Sequence, residues 1–254
     1  MNLTEYLTQM KQRKKIGLMT HLICGYPSLE VNYQTVATMV EAGVDLMELQ
    51  IPFSEPIADG PTMVKANQTA LDQGTTVKNC LDMMREVTQK YPIPFLFMTY
   101  YNIPLQQGLL NFCRQVKEAG GSGLIVPDLP PEEAEELIAA CKEYRISLIL
   151  LMSPTSSDQR LEMISRMADG FIYCVARKGV TGAETDFSAK VEIFLRRCRE
   201  KTSLPLALGF GVSSKEDIDF LTGKADIAVI GTLMIRLLEK KGLQGVRDFL
   251  ITSQ

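Results

Sequence analysis

The chain has a single histidine, His21, and its six cysteines form no C-x-x-C pair and never flank that histidine. That spacing offers no zinc site, and the cysteines are expected to act as small buried hydrophobes, as Cys174 does within its apolar neighbours. Basic residues are in no surplus: 27 Lys and Arg stand against 30 Asp and Glu, a formal net charge of −3. Such a balance argues against nucleic-acid binding, which needs cations to neutralise phosphates. No apolar run approaches the roughly 20 residues that span a bilayer, and no basic segment leads into an apolar signal core, so a soluble cytoplasmic protein is expected. Pro/Ser-rich linkers and composition breaks are also missing. The 254 residues are therefore expected to form one domain, 1–254.

What the chain does have is repetition of a simple kind. Eight short apolar runs recur at 16–22, 46–49, 95–98, 124–126, 148–151, 171–175, 206–208 and 227–230. They are continuous rather than alternating, which predicts strands covered on both faces in a parallel sheet. Helical spacing fills the gaps, with Val36, Met39 and Val40 on one stripe and Leu161, Ile164 and Met167 on another. Gly43 and Gly120 follow helical stretches where a left-handed residue ends a helix, and Ser213 with Glu216 reads as a capping box. Eight β/α units predict a closed (β/α)8 barrel of the TIM type with an extra N-terminal helix. The alternative is an open doubly wound sheet, which would put a Gly-rich phosphate turn after the first strand; the glycine-bearing turns here come after strands six to eight, where a barrel binds phosphate.

The segment from Glu48 to Pro61 runs from an apolar strand into a loop broken by proline and glycine, a loop that opens on the catalytic face of a barrel. Glu48 is the odd residue. A carboxylate ending an apolar strand is desolvated, a setting suited to proton transfer, although a plain ion pair gives the same spacing. Asp59 lies within reach of the same mouth, or is simply a turn residue before Gly-Pro. Gly182, Gly211 and Gly231 let backbone approach an anion closely, and a helix starting at Gly231-Thr232 aims free N–H groups and a positive dipole end at it. The polar, glycine-broken stretch 177–186 fits a lid. Tyr100, Tyr173 and Phe210 are candidate substrate-facing aromatics, though strand-end aromatics are as often core.

Glu-Leu-Gln-Ile-Pro-Phe-Ser-Glu-Pro-Ile-Ala-Asp-Gly-Pro, from Glu48 to Pro61, resembles the hallmark of the tryptophan synthase α-subunit family. The likeness continues through Met98-Thr99-Tyr100-Tyr101-Asn102, Val126-Pro127-Asp128-Leu129-Pro130, Gly179-Val180-Thr181-Gly182-Ala183, Gly209-Phe210-Gly211 and Gly231-Thr232. The resemblance implies a lyase of tryptophan biosynthesis that splits indole-3-glycerol phosphate into indole and glyceraldehyde 3-phosphate. It implies Glu48 and Asp59 as the catalytic pair, with Glu48 moving protons at indole C3 and the hydroxyl and Asp59 polarising the indole N–H. It implies Thr181 at the catalytic region, with Tyr100, Tyr173 and Phe210 around substrate and Gly182, Gly211, Gly231 and Thr232 at the phosphate. No cofactor is implied in this chain; pyridoxal phosphate is expected in a β-subunit partner within an α2β2 assembly.

Four positions depart from the family's common residues: Gln50 for glycine, Glu55 for aspartate, His21 for an aromatic and Thr232 for serine. Gln50 has the largest expected consequence, since its side chain would crowd the indole pocket or hydrogen-bond Glu48. The division of labour between two carboxylates requires no histidine. Two other readings stand beside this one: a regulatory subunit that activates a β partner, and another phosphosugar isomerase or aldolase. A Schiff-base aldolase would want a strand-end lysine, and none of the eight runs contains one.

Overall fold

The computed structural model describes residues 2–175, 189–209 and 211–254. Eight parallel strands close on themselves in sequence order, β1 pairing with β8. They are β1 (Gly17–Ile23), β2 (Leu46–Gln50), β3 (Phe95–Met98), β4 (Gly123–Ile125), β5 (Ser147–Met152), β6 (Ile172–Val175), β7 (Leu206–Gly209) and β8 (Ile227–Ile230). Their bounds shift by a residue or two from the apolar runs because pairing, not hydropathy, ends a strand. One shift matters: β2 continues to Gln50, so Glu48 sits in the middle of the strand rather than at its end.

The unbroken hydropathy of the strands resolves into two buried faces. Met47, Leu49, Phe95, Phe97, Leu124 and Leu148 point outward into the layer shared with the surrounding helices. Met19, Leu46, Leu96, Ile125, Ile149, Phe171, Ala207, Ile227 and Val229 point into the barrel. Period-two alternation is thus present in space but invisible in composition, since both environments are apolar.

The expected N-terminal helix, Leu3–Arg13, is capped by Asn2, whose side chain accepts from the Glu5 N–H. It lays Leu3, Leu7 and Met10 against the interior residues and so closes one end of the barrel. Leu7 is fully buried, and Leu7→Ala is expected to cost about 2–5 kcal/mol of stability through lost burial plus the cavity left behind. A denaturant midpoint unchanged in that variant would show that the plug is dispensable. The capping box expected at Ser213 and Glu216 lies one residue later. Ser214 accepts from the Asp217 N–H, and the Asp217 carboxylate accepts from the Ser214 and Ser213 N–H groups. Asp217, not Glu216, therefore stands at the third helical position that completes the box.

All six cysteines are free and buried, as expected, and Cys113 and Cys141 touch at 3.7 Å between sulfurs.

Candidate active site

Because inward-pointing side chains alternate, β2 sends Leu46, Glu48 and Gln50 into the barrel in turn. Its register with β1 places His21 beside Glu48. Below this level the interior is apolar, and from it upward polar side chains join the apolar ones. Glu48 and His21 line a cavity with Asp59, Met98, Ile125, Leu151, Tyr173 and Val229, and Gly211, Ser213, Gly231, Thr232 and Arg236 line the same cavity. Glu48 is 2% exposed, and its Oε1 is buried with no hydrogen-bond partner. Its Oε2 lies 3.0 Å from His21 Nδ1.

Asp59 reaches the cavity from the loop after β2. The Asp59 N–H donates to the Pro56 carbonyl, and Pro61 then opens the helix Pro61–Asp72 behind an N-cap glycine. Asn67, buried on that helix, staples both ends of the loop. Its Oδ1 accepts from the Phe53 N–H at 3.0 Å, while its Nδ2 donates to Asp59 Oδ2 at 3.3 Å and to the Met63 carbonyl. Burial pushes the Asp59 carboxyl upward, with Glu48 adding to the effect; hydrogen bonds from Gln50 and Tyr100 and the His21 charge oppose it.

Gln50 behaves differently from the expectation. Its Nε2 donates to Asp59 Oδ2 at 2.7 Å and to Asn67 Oδ1 at 3.2 Å, and its Oε1 faces His21 Nε2 at 2.8 Å. It therefore bonds Asp59, not Glu48; two residues further along the strand it stands above Glu48 and next to the returning loop. Although fully buried, it is satisfied on both sides and does not line the cavity. Sequence reasoning left His21 without a role and passed over Asn67. The one available signal was that His21 and Gln50, like Thr20 and Glu48 beside them, are polar residues within largely apolar strands.

Tyr173 lines the cavity, and burial first, then the Glu48 charge, drive its hydroxyl well up, so it stays a neutral phenol. A Cβ at Gly209 would overlap the Tyr173 ring, so only glycine there leaves the ring its place. Tyr100 is not part of the cavity lining. It is fully buried beneath the loop, stacked on Phe53 at 5.3 Å between centroids, and its hydroxyl accepts from the Ala58 N–H. Tyr100 shapes the loop that carries Asp59. Gly211, at φ 107°, and Gly231 and Thr232 meet at the cavity, where the helix Thr232–Thr252 begins with no side chain capping it. Thr181, Gly182, Phe210 and the stretch 177–186 lie outside the described residues.

An eight-stranded parallel barrel with buried acid groups and an open helix start around one cavity places the chain among the (β/α)8-barrel enzymes. The profile of one such family, "Tryptophan synthase alpha chain", matches residues 7–250, and the chain belongs to that family. The tryptophan synthase alpha chain of Desulforapulum autotrophicum is 50% identical over 98% of both chains. A Mycobacterium tuberculosis tryptophan synthase structure superposes with a TM-score of 0.93 at 30% identity, covering 99% of this chain and 96% of that one. A chain of the tryptophan synthase a2b2 complex of Pyrococcus furiosus superposes with a TM-score of 0.87 at 30% identity, covering 93% and 97%. The present chain is accordingly a carbon–carbon lyase of tryptophan biosynthesis.

Proposed function

We propose that Glu48 and Asp59 carry the retro-aldol cleavage of indole-3-glycerol phosphate to indole and glyceraldehyde 3-phosphate, within one barrel domain spanning 1–254. The observation that carries this assignment is Glu48 Oε1, a buried carboxylate oxygen on the cavity wall with no partner in the protein. A buried acceptor left open costs free energy unless a ligand supplies its bond. The substrate's hydroxyl and indole C3 are that ligand. Glu48 gives a proton to C3 and takes one from the hydroxyl; the C–C bond breaks as the carbonyl forms, and its electron pair returns to the ring. Asp59 accepts from the indole N–H and stabilises the positive charge that C3 protonation creates. The apolar lining from Met98, Ile125, Leu151 and Val229 suits the indole, and Tyr173 borders it. Gly211, Gly231 and Thr232 take the phosphate at the start of the helix Thr232–Thr252; the assignment of Gly182 to the phosphate and of Thr181 and Phe210 to the substrate rests on the family motifs they stand in. Indole release from indole-3-glycerol phosphate by the purified chain tests the reaction, and its absence, alone and with a β subunit, would reject it.

We further infer a β-subunit partner, supplying pyridoxal phosphate chemistry of its own, in an α2β2 cytoplasmic assembly. Two exposed apolar side chains support the contact surface: Ile57, 69% exposed on the loop that holds Asp59, and Leu105, 50% exposed on the helix Asn102–Gln107 after β3. Among the described residues, no helix is long and apolar enough to cross a membrane. Covering Ile57 would order the Asp59 loop, which couples docking to turnover. Titrating β subunit into the indole assay should accelerate the wild-type chain, and Ile57→Asp or Leu105→Asp should blunt the acceleration with Tm unchanged. A flat wild-type response, with a complex seen by sedimentation, would mean an independent lyase.

A further inference from the structure

The hydrogen-bond chain running from the loop to Glu48 has only one consistent polarity. The Phe53 backbone N–H can only donate, so the Asn67 atom it meets is the carbonyl oxygen. That oxygen also faces Gln50, so the Gln50 atom there is the amide nitrogen, and the same nitrogen donates to Asp59. The other Gln50 atom, facing His21 Nε2 at 2.8 Å, is then Oε1, which accepts only. His21 Nε2 must carry a hydrogen. What remains is Nδ1, 3.0 Å from Glu48 Oε2.

We propose that His21 is a positioning residue for Glu48: Gln50 locks its Nε2–H tautomer, so that Nδ1 and Glu48 Oε2 share a single proton while Glu48 Oε1 faces the substrate. His21 and Gln50 are thus one device, in contact with each other and joined through it to both carboxylates. With the shared proton on nitrogen the pair is imidazolium and carboxylate; with it on oxygen the pair is neutral imidazole and carboxylic acid. Transfer between the two changes no net charge and needs no further reactant. To reach indole C3 this proton must leave the His21 side, which a turn of the Glu48 carboxyl about its Cγ–Cδ bond accomplishes; the proton taken from the glycerol hydroxyl restores it, so the pair ends the cycle as it began. In the first state the site holds a base and in the second an acid, the two forms that Glu48 needs.

The groups that face the pair come from every side of the barrel mouth. Asp59 lies beyond Gln50 on the loop, Tyr173 faces Glu48 from β6, Tyr26 packs beside His21 after β1, and Arg236 lines the cavity from the helix Thr232–Thr252. Burial alone would lower the His21 value, but the Glu48 hydrogen bond and charge, the Asp59 charge and Gln50 outweigh it, and the imidazole is raised above 6.5. Coupled sites titrate as a pair, so the raised His21 value belongs to the pair and not to the imidazole by itself.

The inference rests on the assignment of Glu48 to proton transfer, yet its geometry can be tested separately because His21 is the only histidine. In the full-length chain labelled with 15N-histidine, NMR titration should show one imidazole, protonated at Nε2 at alkaline pH, with a midpoint above the ordinary 6.5. Glu48→Gln should lower that midpoint. A protonated Nδ1 at alkaline pH, or a midpoint indifferent to Glu48→Gln, would overturn the proposal whatever the enzyme's activity. In the indole assay, His21→Asn keeps a donor toward Oε2 but cannot titrate; kcat should fall by about a hundredfold, the low end for acid–base assistance. KM should change little, and the alkaline limb of kcat should move to lower pH. A uniform fall with an unshifted limb would reduce His21 to packing and refute the shared proton. Wild-type turnover in Glu48→Gln would instead remove the assignment of Glu48, leaving the NMR result standing.

Discussion

Glu48→Gln is expected to lower kcat for indole release by about 10²–10⁴-fold, the range that a positioned acid–base group contributes. The amide is isosteric with the carboxyl, and in the buried interior it still has a hydrogen-bonding neighbour in His21 Nδ1, so the strand keeps its packing. What disappears is the ability to hold and release a proton at Oε1, the atom open to the cavity. Glycerol 3-phosphate, which the proposal assigns to Gly211 and Gly231 and not to Glu48, should bind with unchanged affinity, so the loss should appear in kcat and not in phosphate binding. Measured turnover equal to the wild type, in a variant of unchanged Tm, would remove Glu48 from the chemistry.

Gly211→Asp should abolish useful substrate binding by a different route. Gly211 sits at φ 107°, a left-handed conformation in which any Cβ is strained, and it lines the cavity where the helix Thr232–Thr252 starts. An aspartate there adds a negative charge to the place proposed for the phosphate. At least a tenfold loss of affinity for glycerol 3-phosphate, about 1.4 kcal/mol, is expected, with a matching rise in KM. Gly231 supplies the contrast. Its φ of −101° is open to any residue, and an added Cβ would find His21 Cβ at 3.7 Å, an ordinary contact. Gly231→Ala should therefore fold normally and weaken phosphate binding less than Gly211→Asp does. Calorimetry with glycerol 3-phosphate distinguishes the two, and equal affinity in wild type and Gly211→Asp would place the phosphate elsewhere.

Much of this architecture follows from local pattern. Eight apolar runs separated by helical stripes and closed by glycines such as Gly43 and Gly120 imply a barrel. Hydropathy and left-handed turns are properties of neighbours in sequence, and they survive without tertiary context. Glu48 stood out for the same reason, as a charge within an apolar run. The motif from Glu48 to Pro61 tied it to Asp59, and the fold has brought both to one cavity.

Partnership across the barrel was decided only by closure. The register of β1 against β2 sets His21 beside Glu48, twenty-seven positions away. The returning loop brings Asp59 and Asn67 onto Gln50. In the sequence Gln50 looked like an intruder near Glu48; in the structure it joins His21 to Asp59. Tyr100, a candidate for the substrate's surroundings, stacks on Phe53, holds the Ala58 N–H and hydrogen-bonds Asp59. A residue's type limits which hydrogen bonds it can make, but strand register and loop return choose its partners, and in a buried site the partners determine where each proton resides.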